Sequence, residues 1–179
     1  MTTADRIYHH ADRTPEGWQE RIGYRIDSAT FARERGEAVG ALYRYWKGRA
    51  GCGPPKAGDF DPLNDLSREI TGLISYVDLN PNIRHGWIFN HHANTSKFAK
   101  FEHRAIADYP ILDHRTALLQ EYDSVRYGRA PRFDEIVQEY GRTSRHYKRL
   151  ILPVADENSD ISRLWIVTRL LSSSFRPGH

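Results

Sequence analysis

The sequence predicts an α+β domain: a five-stranded antiparallel sheet with helices on one face, preceded by an amphipathic helix. Three observations support this prediction. Apolar residues recur at helical spacing in two long segments. Segments rich in β-forming residues come first as a pair and later as a group of three. Strands and helices do not alternate as they would for a parallel sheet.

Residues 1–27 are expected to form an N-terminal arm. Glycine, proline and charged residues interrupt any regular period there. Trp18, Ile22 and Tyr24 could nevertheless hold part of the arm against the domain. A loose tail and a docked strap are both open interpretations.

An N-terminal helix is predicted over residues 28–50. Ser28 is a favourable N-cap residue, and a loop rich in glycine and proline ends the helix. The apolar stripe of this helix consists of Phe31, Ala38, Leu42, Tyr45 and Trp46. The stripe could cover the sheet of its own chain, or it could pair with a second copy and form a homodimer with an interface of ordinary size.

The main domain is predicted over residues 51–171, followed by a short tail over residues 172–179. Asp61-Pro62 is typical of a helix start, and Asn80-Pro81-Asn82 is typical of a turn between strands. The elements expected after that first short helix are strands over 73–79 and 84–92, helical turns over 94–107, a helix from Pro110 to Gly128, and strands over 133–140, 143–154 and 162–171.

Several short motifs resemble the stand-alone PAS-type proteins of alphaproteobacteria. The segments Leu42-Tyr43-Arg44-Tyr45-Trp46, Pro54-Pro55 and Asp59-Phe60-Asp61-Pro62 are similar to the opening of that family. The segment 147–154, followed by an acidic turn, is similar to its closing strand. The resemblance covers about residues 42–171. It implies a PAS-like fold and a sensory or regulatory module that is not an enzyme.

A PAS-like module would bind a small ligand or a protein partner between its central helices and its sheet, or on the outer face of the sheet. We expect no output domain on this chain, so that signalling would proceed by association. The aromatic and apolar residues that could line a ligand pocket are Trp87, Phe89, Phe98, Phe101, Leu119, Tyr147 and Trp165. The same residues could equally be ordinary core.

Two alternatives are kept. The first is a small enzyme on an α+β-cone fold, of the isomerase or dehydratase type, in which Asp78 and Tyr76 share one face of a strand. The second is an acidic or nucleotide ligand, or else a nucleic-acid contact, at the basic run Arg142, Arg145, His146, Lys148 and Arg149. An exposed strand end is the simpler interpretation of that run.

Composition excludes several other classes. The single cysteine, Cys52, excludes a disulfide framework and a cysteine-rich zinc site within one chain. A net charge of +3 is too small an excess to indicate nucleic-acid binding. We see neither a secretory signal nor an apolar run of the ~20 residues that span a bilayer, and we expect a cytoplasmic protein without membrane contact.

No catalytic or cofactor motif is recognisable in the sequence. His103 and His114 lie near the central helices, where a haem ligand would sit, but no spacing supports that role. The cysteine motif of flavin photosensors is also missing, so neither haem nor flavin is supported. No catalytic residues and no metal ligands are assigned, and any ligand and protein partner stay unidentified.

Overall fold

The computed structural model of the chain describes residues 6–14, 17–24, 26, 38–83, 86–91, 103–110, 112–140 and 143–175. These residues form an α+β structure in which one antiparallel sheet is packed against α-helices. The strands are β1 (Arg6–Thr14), β2 (Gly17–Tyr24), β3 (Ile74–Leu79), β4 (Trp87–His91), β5 (Arg132–Tyr140), β6 (Thr143–Ala155) and β7 (Ile161–Phe175). The α-helices are α1 (Ala38–Arg49), α2 (Pro62–Asp65), α3 (Arg68–Thr71) and α4 (Leu112–Gly128).

The sheet has seven strands in the order β1-β2-β5-β6-β7-β3-β4, and all neighbours are antiparallel. The β3–β4 hairpin joins the three-stranded meander through β3 and β7, with Val77 opposite Leu164. The predicted two-plus-three strand arrangement therefore forms one continuous antiparallel sheet, and that part of the prediction is confirmed.

The predicted strand number was wrong, because the N-terminal segment adds two strands. Strand β2 pairs with β5 along its whole length, from Gly17 opposite Tyr140 to Tyr24 opposite Phe133. The Tyr24 side chain is buried, so packing outweighs the glycines that disfavour regular structure locally. The segment is thus docked rather than loose. At the other end, β7 continues to residue 175, four residues beyond the predicted strand end.

Helices pack on both faces of the sheet, which we call the α1 face and the α4 face. On the α1 face, Leu42 and Trp46 pack into a core that includes Phe60 and Trp165. The indole Nε1 of Trp46 donates a hydrogen bond to the carbonyl oxygen of Pro153 at 2.7 Å. The N-terminal helix therefore covers the sheet of its own chain, whereas residues 28–37 lie outside the described residues.

The α4 face carries a second core. Leu118, Tyr122 and Val125 of α4 pack against apolar residues of β6 and β7, including Ile151 and Leu164. All residues from 150 to 155 in β6 are buried. An uninterrupted buried run is typical of a strand covered on both faces.

A close turn joins β3 to β4. The backbone N–H of Asn80 donates to the carbonyl oxygen of Gly86 at 2.7 Å. The N–H of Gly86 donates to the carbonyl oxygen of Ile83 at 3.0 Å. A Cβ atom at Gly86 would lie 2.4 Å from the Asn80 carbonyl oxygen. Glycine is therefore required sterically at this position.

Among the described helices, none combines the length and the apolar character that crossing a membrane requires.

Candidate functional site

The α4 face of the sheet has an apolar end, which includes β3, β7 and the last residues of β6. Its polar end consists of β2, β5 and the first residues of β6. The antiparallel registers align polar residues across three neighbouring strands. The three cross-strand rows are Gln19, Gln138 and Arg145; Arg21, Ile136 and Tyr147; and Gly23, Asp134 and Arg149. The inner side of α4 lies above these rows and contributes His114 and Glu121.

Four charged side chains are buried in this region, and we call them the buried charge cluster: Arg21, Glu121, Asp134 and Arg149. Their exposed fractions are 6%, 2%, 1% and 6%. The Glu121 carboxylate accepts from Arg149 and forms an ion pair with Arg21. Nη1 of Arg21 also lies 3.7 Å from the Asp134 carboxylate. Glu121 thereby connects α4 to both β2 and β6.

Arg132 extends the buried charge cluster toward the surface. Its Nε lies 2.7 Å from the Asp134 carboxylate, and its Nη1 donates to the Ser124 hydroxyl at 2.8 Å. That hydroxyl in turn donates to the carbonyl oxygen of Glu121. Breaking one partner of a buried ion pair typically costs about 3–5 kcal/mol, because an uncompensated charge is left behind. The network therefore fixes how α4 sits on the sheet.

His114 occupies the first turns of α4 and is buried beside these cations. Burial, together with the positive charges of Arg149, Arg21 and Arg145, lowers the pKa of His114 to about 3. Its ring contacts that of Tyr109, with centroids 5.2 Å apart. The imidazole is therefore neutral at physiological pH and lies in a positive electrostatic potential.

Tyrosines complete the surroundings. The Tyr147 hydroxyl donates to the side-chain oxygen of Gln138 at 3.1 Å, and both side chains are buried. Burial raises the pKa of Tyr122 to about 12 and also raises the pKa of Tyr109. Nε of Arg149 is buried and has no hydrogen-bond acceptor among the described residues. The region thus offers hydroxyl and guanidinium donors, while both carboxylates are held by arginines.

The predicted pocket residues divide between two places. Trp87 and Phe89 are buried in the apolar core of the α4 face, and Leu119 packs against it. Tyr147 belongs to the polar end of the same face. Trp165 lies on the other face, the α1 face, where it packs against Phe60 and Tyr76. Phe98 and Phe101 lie outside the described residues.

The apolar stripe that was predicted as a possible dimer interface packs against its own chain. Leu42 and Trp46 are buried, and Ala38 and Tyr45 pack partly buried against the same core. Phe31 lies outside the described residues. A dimer contact through Leu42 and Trp46 would require α1 to leave the sheet, so the covering interpretation describes this structure.

The pair nominated for the enzyme alternative does lie on one strand face, but Asp78 forms an ion pair. Nε of Arg163 lies 2.5 Å from one carboxylate oxygen of Asp78, and Asn90 donates to the other. The guanidinium of Arg163 also covers the Tyr76 ring at 4.2 Å. This arrangement joins β3, β4 and β7 and presents no free general base.

Other residues singled out in the sequence lie apart from the cluster. His103 is exposed and its Nδ1 lies 3.1 Å from the side-chain oxygen of Asn90. Cys52 is exposed with a free thiol. Within the described part of the chain, no group of three histidine, cysteine or acidic side chains is arranged to hold a metal ion.

Sequence reasoning missed the buried charge cluster. The sequence favoured an exposed strand end for the basic run that includes Arg149, and this was wrong for Arg149, which is buried. Glu121 carried a usable signal: it lies three positions from Leu118 and four from Val125, and therefore on the buried stripe of α4. Arg21 carried none, since the arm was not expected to form a strand.

Comparison with known proteins returned no match: no family model, no curated protein and no solved structure is significantly similar to this chain.

Proposed function

We propose that this chain is a PAS-like regulatory module that binds a small molecule between α4 and the polar end of the sheet. The observation that carries the proposal is the burial of the charge cluster beside a neutral histidine in the domain interior. Perturbed titratable groups in such a position are characteristic of binding and catalytic sites.

Stability alone does not account for the buried charge cluster. Replacing a buried ion network with well-packed apolar residues is often neutral or stabilising, because the desolvation cost of the charges disappears. The other half of the α4 face is closed by Trp87, Phe89 and Leu164, which need no buried charges. Polar groups that converge at one end of an otherwise apolar layer favour recognition of a polar ligand.

The PAS-like assignment is supported by the order of the elements. A hairpin, a helical middle ending in a long helix, and a three-stranded meander are what the resemblance implies. In this chain they follow one another as β3–β4, α4 and β5–β6–β7. The N-terminal hairpin β1–β2 extends that core at the β5 edge.

Strand β6 is the proposed route from the site to the rest of the molecule. Arg149 faces α4, while its neighbour Leu150 packs on the α1 face. Further along the same strand, Pro153 accepts the hydrogen bond from Trp46 of α1. A ligand that repositions Arg149 would bias this strand, and with it the packing of α1.

Signalling would proceed by association with a protein partner or a second copy of the chain. Because Leu42 and Trp46 are buried in their own chain, such contacts would use the outward side of α1 or another surface. Light scattering on the purified protein, with and without a ligand, measures this association.

The test starts from native mass spectrometry and an absorption spectrum of the purified full chain, followed by a thermal-shift screen with a metabolite library. Hits are then mapped by amide NMR. The proposal expects hits that shift signals of Tyr147, His114 and Arg149 and that alter hydrogen exchange in α1. A library without hits, or hits that shift only signals of the outer surface, would contradict it.

A further inference from the structure

Among the described side chains, the polar end of the α4 face carries more positive than negative charge. Arg21, Arg132, Arg145 and Arg149 contribute four positive charges, and Glu121 and Asp134 contribute two negative ones, so these six side chains leave two positive charges in excess. Each carboxylate is already in contact with two of the arginines. Arg145 has no carboxylate within ion-pair distance among the described residues.

The excess charge is concentrated near the start of α4. The positive charges of Arg149, Arg21 and Arg145 each act to lower the pKa of His114. The charge of Arg145 acts in the same direction on the pKa of Tyr109, which burial raises. A buried imidazole whose pKa is lowered by three cations lies in a positive electrostatic potential. An anion placed there would gain more than it would at the protein surface, because the surroundings are poorly solvated.

Donors are available where the anion would lie. Arg145 lies in the same cross-strand row as Gln138 and is half-buried, so its side chain is partly accessible to solvent. Deeper inside, Nε of Arg149 is buried without an acceptor among the described residues. A guanidinium presents paired N–H groups that match the geometry of carboxylate and phosphate oxygens.

We propose that Arg145, with Arg149 and His114 behind it, forms a binding site for a small molecule that carries a carboxylate or phosphate group. This inference rests on the proposed function and adds the chemical class of the ligand. Arg145 would make the first contact, and the Tyr109 ring would cover the ligand.

Anion binding at this position would be coupled to protonation of His114. Among the described residues, the charged groups that act on His114 are Arg21 from β2 and Arg145 and Arg149 from β6, and Glu121 lies two turns further along its own helix. A bound anion offsets the three cations and so makes the protonated imidazole less unfavourable. Affinity for the anion should therefore rise as the pH falls, for as long as the protein stays folded.

The test is isothermal titration calorimetry on the full chain with two probes, inorganic phosphate and succinate. Arg145→Gln removes the first contact, and Arg169→Gln is the matched control, since Arg169 is also half-buried but lies on the opposite face of the sheet. We expect binding of at least one probe below about 20 mM, a loss of about tenfold or more in Arg145→Gln, and less than twofold in Arg169→Gln. The probe that binds more tightly identifies the group.

A second readout follows the His114 imidazole by NMR, assigned with His114→Gln, during a pH titration with and without the probe. The inference expects the midpoint to move upward when the probe is present. It is overturned if neither probe binds, or if Arg145→Gln binds as well as the wild type. Neutral metabolites that shift α4-face signals while both anions fail would overturn this inference and leave the proposed function standing.

Discussion

Arg149 of β6 donates to Glu121 of α4, and both side chains are almost completely buried. The contact joins the longest helix to the centre of the sheet. It also places a guanidinium within reach of His114, whose pKa it lowers. The same pair therefore serves the packing of α4 and sets the electrostatic potential of the candidate site.

Removing the negative charge of Glu121 should destabilise the fold strongly. Glu121→Gln leaves Arg21 and Arg149 buried without their shared carboxylate, and we expect a loss of about 3 kcal/mol in the free energy of unfolding. Urea denaturation followed by circular dichroism measures it. Glu157→Gln is the control, because Glu157 is exposed in the β6–β7 turn. Equal effects of the two substitutions would show that the cluster does not hold α4.

The stability of the protein should fall as the pH is lowered below about 6.5, in part because of His114. Its pKa is about 3 in the folded chain, so the unfolded chain binds the proton first. The contribution is complete above pH 6.5 and declines by about 1.4 kcal/mol per pH unit down to about pH 3. His114→Gln should reduce this slope, as measured by urea denaturation at pH 7, 6 and 5. Identical slopes in the wild type and His114→Gln would contradict the burial of a neutral imidazole.

The hydrogen bond from Trp46 to Pro153 should stabilise the packing of α1. Trp46→Phe keeps an aromatic ring but leaves the Pro153 carbonyl without this donor, and we expect a loss of about 1–3 kcal/mol in the free energy of unfolding. Tyr127→Phe changes an exposed hydroxyl on α4 and serves as the control. Light scattering should give one mass for the wild type and both variants. A change in subunit number in Trp46→Phe alone would indicate that this face of α1 takes part in dimerisation.

The turn between β3 and β4 should reject any side chain at Gly86. The added Cβ of Gly86→Ala would overlap the carbonyl oxygens of Asn80 and Ile83, so the turn must shift, and the loss of stability should exceed 1 kcal/mol, roughly the lower range for overpacking. Gly128→Ala is the matched control, because its Cβ would meet no atom within 4 Å. Thermal unfolding compares the two. A melting temperature for Gly86→Ala equal to that of Gly128→Ala would show that the turn tolerates the methyl group.

The central elements were predictable because local patterns determine them. The Asp61-Pro62 start is observed with the Asp61 carboxylate accepting from the N–H of Asn64, and the predicted helix from Pro110 to Gly128 is observed as α4. The turn residues between the last three strands also predicted where these strands begin and end, to within a few residues. These features depend on capping and periodicity, which a single sequence records.

The N-terminal strands and the charge cluster depend on long-range pairing. Strand β2 is stabilised by β5, more than 100 positions away, and nothing near Arg21 indicates that partner. The sequence could not assign Trp165 to one face for a related reason: both faces of β7 are buried, so the alternation of residues does not show which of them faces α4. Only the strand register separates these possibilities.

We propose that the buried charge cluster serves ligand recognition rather than stability. The most direct measurement is the thermal unfolding of a triple variant, Arg21→Met, Glu121→Leu and Arg149→Leu, with and without the phosphate and succinate probes and the metabolites that stabilise the wild type. We predict a folded variant with a melting temperature near or above that of the wild type, because three of the four buried charges are gone and the fourth, Asp134, keeps its ion pair with Arg132. We also predict that its response to these ligands is lost. A folded variant that responds as strongly as the wild type would contradict the claim, as would a variant that does not fold at all.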